Sequence, residues 1–177
     1  KLIQNSSFDE IEKEIKAALT LGTDNNFGHD YITDAAVRFE VQSRKPITTG
    51  WPELDEITCG GFGVRELSVV IAPTGAGKSM VLVHQGATAL DLGKTVVHYT
   101  LELADTIVGQ RYDSCITGVG LKDLIHSKDI VMEKIKDVAG RLIIKEYPTK
   151  SASTKTIETH IEKLMKRGIN PDVVIVD

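Results

Sequence analysis

Long apolar runs are absent. No stretch approaches the roughly 20 residues needed to span a bilayer, so no membrane-crossing helix is expected. The opening residues, KLIQNSSFDE, hold no apolar stretch flanked by a basic segment, so no secretory signal is read there. An initiator Met is missing as well, and the chain is expected to be a piece of a longer polypeptide or a processed product. Cysteine is scarce: Cys59 and Cys115 lack metal-ligand spacing and read as reduced thiols of a cytosolic protein. A basic excess is lacking too. The net charge of −4 gives no overall footprint for nucleic acid. What remains is ordinary for a globular domain. The 177 residues are 41% hydrophobic and 26% charged, enough to build one core.

The first segment, SSFDEIEKEIKAALTL, reads as an amphipathic helix over residues 7–21. Phe8, Ile11, Ile15, Ala18 and Leu19 share a face, and Ser7 with Glu10 fits a capping box. LGTDNNFGHD is then a polar linker. A second short helix is expected over YITDAAVRFEVQSR, ending before Pro46. From Thr48 onward, short apolar runs alternate with helical stretches. The runs are LSVVIA (67–72), TVVHYTL (95–101), RLIIKEY (141–147) and VVIVD (173–177). β-Branched, nearly continuous runs of this kind suit parallel strands buried on both faces. Helices are expected from about Lys78 to Leu92, closing at Gly93, and from about Thr154 to Arg167, closing at Gly168. The alternation predicts an α/β domain with a mostly parallel sheet flanked by helices.

LSVVIA runs into APTGAGKS and then a helical pattern. Strand, glycine-bearing loop, Lys-Ser and helix form the pattern of a phosphate loop. Gly75 and Gly77 let backbone amides curl round phosphates without a Cβ in the way. The helix points its positive end at them. Lys78 supplies charge at the β and γ phosphates, and Ser79 offers a hydroxyl to Mg²⁺. Pro73, Thr74, Gly75, Ala76, Gly77, Lys78, Ser79 and Met80 are the expected ATP contacts. The usual pattern begins with Gly; Ala72 stands there instead, a small residue at the strand's end.

The reaction depends on carboxylates at the carboxyl ends of strands, where α/β sheets bind ligands. Asp177, after VVIV, fits the Mg²⁺-side acid. Glu102, after TVVHYTL, fits a base that orients and polarises an attacking water. The five histidines are scattered. His98 lies mid-strand and His84 on the helix after the loop, and both read as structural. Trp51 reads as a packing residue. Glu158, Glu162, Lys163 and Lys166 read as a solvated helix face.

TTGWPELDEITCGGFGVRELSVVIAPTGAGKS resembles the opening of a RecA-type ATPase core. HYTLELADTIVGQR resembles the DnaB-type replicative helicases, in which a second strand ends in Ser/Thr-Leu/Met-Glu before a helix bearing Gln-Arg. Here those residues are Thr100, Leu101, Glu102, Gln110 and Arg111. GRLIIKEYPT and the segment following it, FDEIEKEIKAAL and GHDYITDAAVRFE resemble the T-even phage branch of that family.

The resemblance implies a RecA-like P-loop core over residues 46–177, preceded by a helical linker segment over residues 1–45. It implies a hexameric motor that moves on single-stranded DNA and separates the duplex by hydrolysing ATP with Mg²⁺, with primase and a helicase loader as partners. Lys78, Ser79, Glu102 and Asp177 carry over residue by residue. Helix 7–21 would match a linker helix docked on a neighbouring subunit; packing within its own chain is the alternative, and one apolar stripe does not choose between them. Family members carry a domain before the linker, and a sensor strand, DNA-contacting loops and an arginine finger after the Asp. The chain is therefore expected to be a fragment cut at both ends, with ATP turnover near background by itself. A RecA- or KaiC-like ATPase acting in recombination or as a nucleotide-gated regulator is the alternative, because TTG and LDEITCGGF suit that group too.

Overall fold

The structure, a computed structural model, describes residues 28–39 and 44–177 together with Ile11, Glu12 and Ile15. The chain divides into two compact units, residues 1–43 and 44–177. In the first, Ile11, Glu12 and Ile15 are helical. The rest of the helix expected over 7–21, with its Ser7–Glu10 cap, lies outside the described residues. The second expected helix is corrected. Residues 31–34 form turns and Ala35–Phe39 a 3-10 helix, while 40–43 lie outside the described residues. Local side chains account for the change. An Asp30 carboxylate oxygen accepts the N–H groups of Ile32 and Thr33, and Asp34 accepts that of Asp30. Such bonds offer the backbone an alternative to a regular helix.

The second unit is built on a three-stranded parallel sheet. β1 is Thr95–Thr100, β2 Arg141–Glu146 and β3 Val173–Val176, in the order β2-β1-β3. β1 pairs Thr95 with Arg141 through Thr100 with Glu146 on one side, and Val96 with Val173 through Tyr99 with Val176 on the other. Five of its six residues are buried. That burial explains why TVVHYT reads as unbroken apolar sequence rather than as an alternation.

Helices cover both faces. α1 (Pro52–Ile57) precedes the phosphate loop, α2 (Lys78–Asp91) follows it, and α3 (Asp105–Thr117) and α4 (Lys128–Lys134) lie between β1 and β2. α5 (Thr154–Met165) connects β2 to β3. One core layer joins Val83, Ala87 and Leu90 of α2 to Val108 and Tyr112 of α3 and Val96 of β1. The other joins Val97 and Tyr99 to Leu164 of α5, with Ile157 and Ile161 beside them. Side chains alternate across β1, so its even-numbered residues face α2 and its odd-numbered ones α5. α5 opens on a capping box, Ser153 with Thr156. α2 closes as the sequence predicts: Gly93 N–H reaches Leu90 O and Lys94 N–H reaches Ala89 O.

LSVVIA is the principal departure. Residues 67–72 form no strand, and Leu67 and Ile71 are 90% and 89% exposed. A strand exists only where another backbone supplies its ladder bonds. β3 occupies one side of β1 and β2 the other, and no described strand pairs with 67–72.

Gly86 of α2 permits a close approach. A Cβ there would lie 2.0 Å from the Tyr112 hydroxyl, which is buried and bonded to the His98 ring at 2.9 Å. Helix propensity alone makes Gly→Ala stabilising by about 1 kcal/mol. Overpacking against a side chain with nowhere to move costs about 1–3 kcal/mol. Gly86→Ala is therefore expected to lower stability in urea unfolding. A rise would show that Tyr112 yields easily.

Candidate functional site

The segment ahead of the loop is braced to α2. Asp55 of α1 accepts hydrogen bonds from the Thr48 and Thr49 hydroxyls and the Thr49 N–H. These bonds, that of the Thr48 hydroxyl first, hold its carboxyl below the usual range. Trp51 stacks on His84 of α2, centroids 4.1 Å apart, so both play the packing roles predicted from sequence. Arg44 crosslinks the following loop, donating to the carbonyls of Thr58, Cys59 and Gly61 and to both oxygens of Glu66. The Arg44 guanidinium pulls the Glu66 carboxyl down to about 2.

The loop closes as a turn, with Ala76 N–H donating to Pro73 O at 3.2 Å. Gly75 and Gly77 adopt φ of +80° and +96°, and nothing lies within 4 Å of where a Cβ would stand on either. Both positions need glycine for backbone conformation and leave open space above the loop. α2, 14 residues long, begins directly after Gly77, with no side-chain cap and no acid in its first turn. Its positive end is thus left for an external anion. Pro73, Thr74, Gly75 and Ala76 are exposed, Gly77, Lys78 and Ser79 half-buried, and Met80 exposed. Lys78 Nζ donates to the carbonyls of Ala72 and Pro73, at 2.9 and 3.0 Å. That pose holds the ammonium over the loop it would serve.

The Ser79 hydroxyl donates to a carboxylate oxygen of Asp177 at 3.1 Å, across 98 residues of sequence. Asp177 is held by backbone on both sides: its N–H donates to Tyr99 O, and its carbonyl accepts from Leu101 N–H. A hydroxyl and a carboxylate are the oxygen donors Mg²⁺ takes when phosphates and waters complete its shell. No cluster of three or more His, Cys, Asp or Glu suited to a metal occurs among the described residues. The Ser79 hydroxyl and the Asp177 carboxylate are by their chemistry donors that would fit a magnesium bound together with a nucleotide.

Glu102 is exposed, in the bend after β1, one residue past Leu101. No hydrogen bond joins it to the loop among the described residues. The bend itself is fixed. Buried Thr100 donates its hydroxyl to Leu103 O at 2.8 Å and accepts Leu103 N–H at 3.1 Å. Thr149 donates to Leu101 O. Sequence reasoning gave Thr100 and Thr149 no such role; the TLEL spacing, a hydroxyl three residues before a turn's end, is the signal that could have found that of Thr100. Glu146, a third acid at a strand end, accepts the N–H of Asp105 at the start of α3. Two cavities, of about 310 and 340 Å³, lie away from this site, beside α5 and α3. Cys59 and Cys115 are free and exposed. No described helix is long and apolar enough to cross a membrane.

No protein-family profile matches the chain. Among curated proteins, it is 29% identical over 174 residues to a DnaB-like replicative helicase of Enterobacteria phage T4, an alignment covering 92% of this chain. The chain resembles DnaB-like replicative helicases. A solved DnaB-like replicative helicase, described with its interactions with primase, superposes with a TM-score of 0.64 at 17% identity over 96% of this chain. A second solved structure, of an ATPase domain, superposes with a TM-score of 0.61 at 14% identity over 98% of it. Those superpositions show that the chain shares its fold with the two solved proteins, an α/β arrangement with a parallel sheet as the sequence predicts. The chain spans 37% of the phage relative, and 43% and 57% of the two solved chains.

Proposed function

We propose that this chain binds MgATP and forms part of the ATP-hydrolysing core of a replicative DNA helicase. The observation that carries the reading is the 3.1 Å bond from Ser79 to Asp177, beside the uncapped start of α2. It brings a phosphate-loop hydroxyl and a strand-end carboxylate to one point. In this reading Lys78 leaves the carbonyls of Ala72 and Pro73 for the β and γ phosphates, and the backbone N–H groups of residues 74, 75 and 77–79 cradle them. Ser79 and Asp177 hold the magnesium, which offsets charge on the phosphate oxygens when bound. Glu102 orients a water for in-line attack on the γ phosphorus and takes its proton, while the bond to the bridging oxygen of ADP breaks. Single-stranded DNA as track, a hexameric ring, and primase and loader contacts belong to the same proposal. The relatives reported above are replicative helicases and an ATPase domain, which favours a motor over a recombinase or a nucleotide-gated regulator.

The test is equilibrium binding of a fluorescent ATP analogue with Mg²⁺. Lys78→Ala is expected to weaken affinity at least about tenfold, the loss of one charge-assisted contact. Asp177→Asn should remove most of the magnesium dependence. Affinity unaffected by both changes would refute the site.

A further inference from the structure

We propose that Thr100 is a positioning residue for Glu102, setting the carboxylate's place through the turn it closes. The inference rests on the role given to Glu102 above. Thr100 is the last residue of β1 and is fully buried. Its hydroxyl is both donor and acceptor to one residue, Leu103, and so closes a loop with Leu101 and Glu102 at its crown. Backbone bonds pin the same residues from both neighbouring strand ends. Tyr147 N–H donates to Thr100 O at 3.0 Å, and Leu101 N–H donates to Asp177 O at 2.9 Å. The turn bearing the proposed base is thus tied to the residue proposed to hold magnesium. The Glu102 side chain is exposed and hydrogen-bonded to nothing in the loop, so its placement comes from its backbone. A catalytic group displaced by about 1 Å can lose about a hundredfold in rate.

A hydroxyl is needed because one atom must give and receive. Valine keeps the shape of threonine and does neither, leaving Leu103 N–H and C=O without that partner. Serine keeps the hydroxyl and drops the methyl. A packing role and a positioning role therefore rank the two substitutions in opposite orders. In the full-length protein, Thr100→Val is expected to slow ATP turnover at least about tenfold with nucleotide affinity retained. In this chain it should speed exchange of the Leu103 amide by about tenfold or more. Thr100→Ser should restore both. The proposal is overturned if Thr100→Val matches the parent in both readouts, or if Ser is the more damaging change. Should the Val variant not fold, Thr100→Cys against Thr100→Ser asks the same question at nearly constant size, and equal turnover and exchange would overturn it. Glu102→Gln is run alongside. If that variant retains turnover, the role of Glu102 fails, while Leu103 exchange still judges the hold of Thr100 on the turn.

Discussion

In the role proposed for it above, Glu102→Gln in the full-length protein is expected to lower ATP turnover by about 10²–10⁴-fold, the range of a positioned general base, and to leave ATP affinity nearly unchanged. The substitution is almost isosteric. Glu102 is exposed and shares no hydrogen bond with the loop, so the change should cost no more than about 0.5 kcal/mol of stability. Lost turnover therefore cannot be ascribed to lost fold. Glu146→Gln is the matched control, since Glu146 also ends a strand but serves the backbone of Asp105. It should leave turnover close to the parent's. Turnover and ATP binding are measured together, with and without single-stranded DNA. Loss of ATP binding in the Glu102 variant would mean that the residue serves the nucleotide's ground state and not the reaction. A parent whose turnover ignores single-stranded DNA would point away from a motor.

The parts of this site differ in how well sequence announced them. Glycines and Lys-Ser before a helix specify a phosphate loop locally, because a few adjacent residues contain all the backbone chemistry. Residues 95–100 were legible for a related reason: a strand buried at five of six positions needs apolar or β-branched residues on both faces. Residues 173–176 carry the same β-branched composition and form a strand, yet only Ile175 is buried, and Val174 and Val176 are exposed. Residues 67–72 satisfy that same pattern and form no strand. Strand-forming sequence states a capacity, and the ladder depends on a neighbour no local pattern encodes. Residues 31–39 failed for the opposite reason. The stretch reads as a short helix ending before Pro46, but Asp30 and Asp34 supply side-chain partners that divert the first amides into turns. The meeting of Ser79 with Asp177 was inferred from strand-end logic. The doubly bonded Thr100 was not inferred, because a hydroxyl closing a turn and a hydroxyl filling a core have the same letter.

The second large effect concerns acid. Unfolding free energy should fall by roughly 2 kcal/mol between pH 6.5 and 5 through His98 alone, and by roughly 3 kcal/mol on reaching pH 4. His98 is fully buried in the central strand, on the face toward α2. Its Nδ1 meets the Tyr112 hydroxyl at 2.9 Å, while its buried Nε2 has no hydrogen-bond partner among the described residues. Burial pushes its pKa down from 6.5 to about 4; the charge of Asp177 opposes that shift and Arg111 adds to it. An unfolded chain takes the proton near pH 6.5, and the folded chain resists it until about 4. The stabilisation is therefore whole above pH 6.5 and is lost as pH falls through that window. His160, its pKa lowered by burial and by Lys145, Lys163 and Arg167, acts in the same direction from a more exposed position. Substitution is needed to separate the two. His98→Phe alone would strand the Tyr112 hydroxyl, so the informative variant is His98→Phe with Tyr112→Phe, which removes both polar groups together. Urea unfolding at pH 7, 6 and 5 should show the parent losing stability and the double variant losing much less. Parallel losses in the two proteins would mean that His98 accepts its proton within the folded core, and that the strand tolerates a charge behind Asp177.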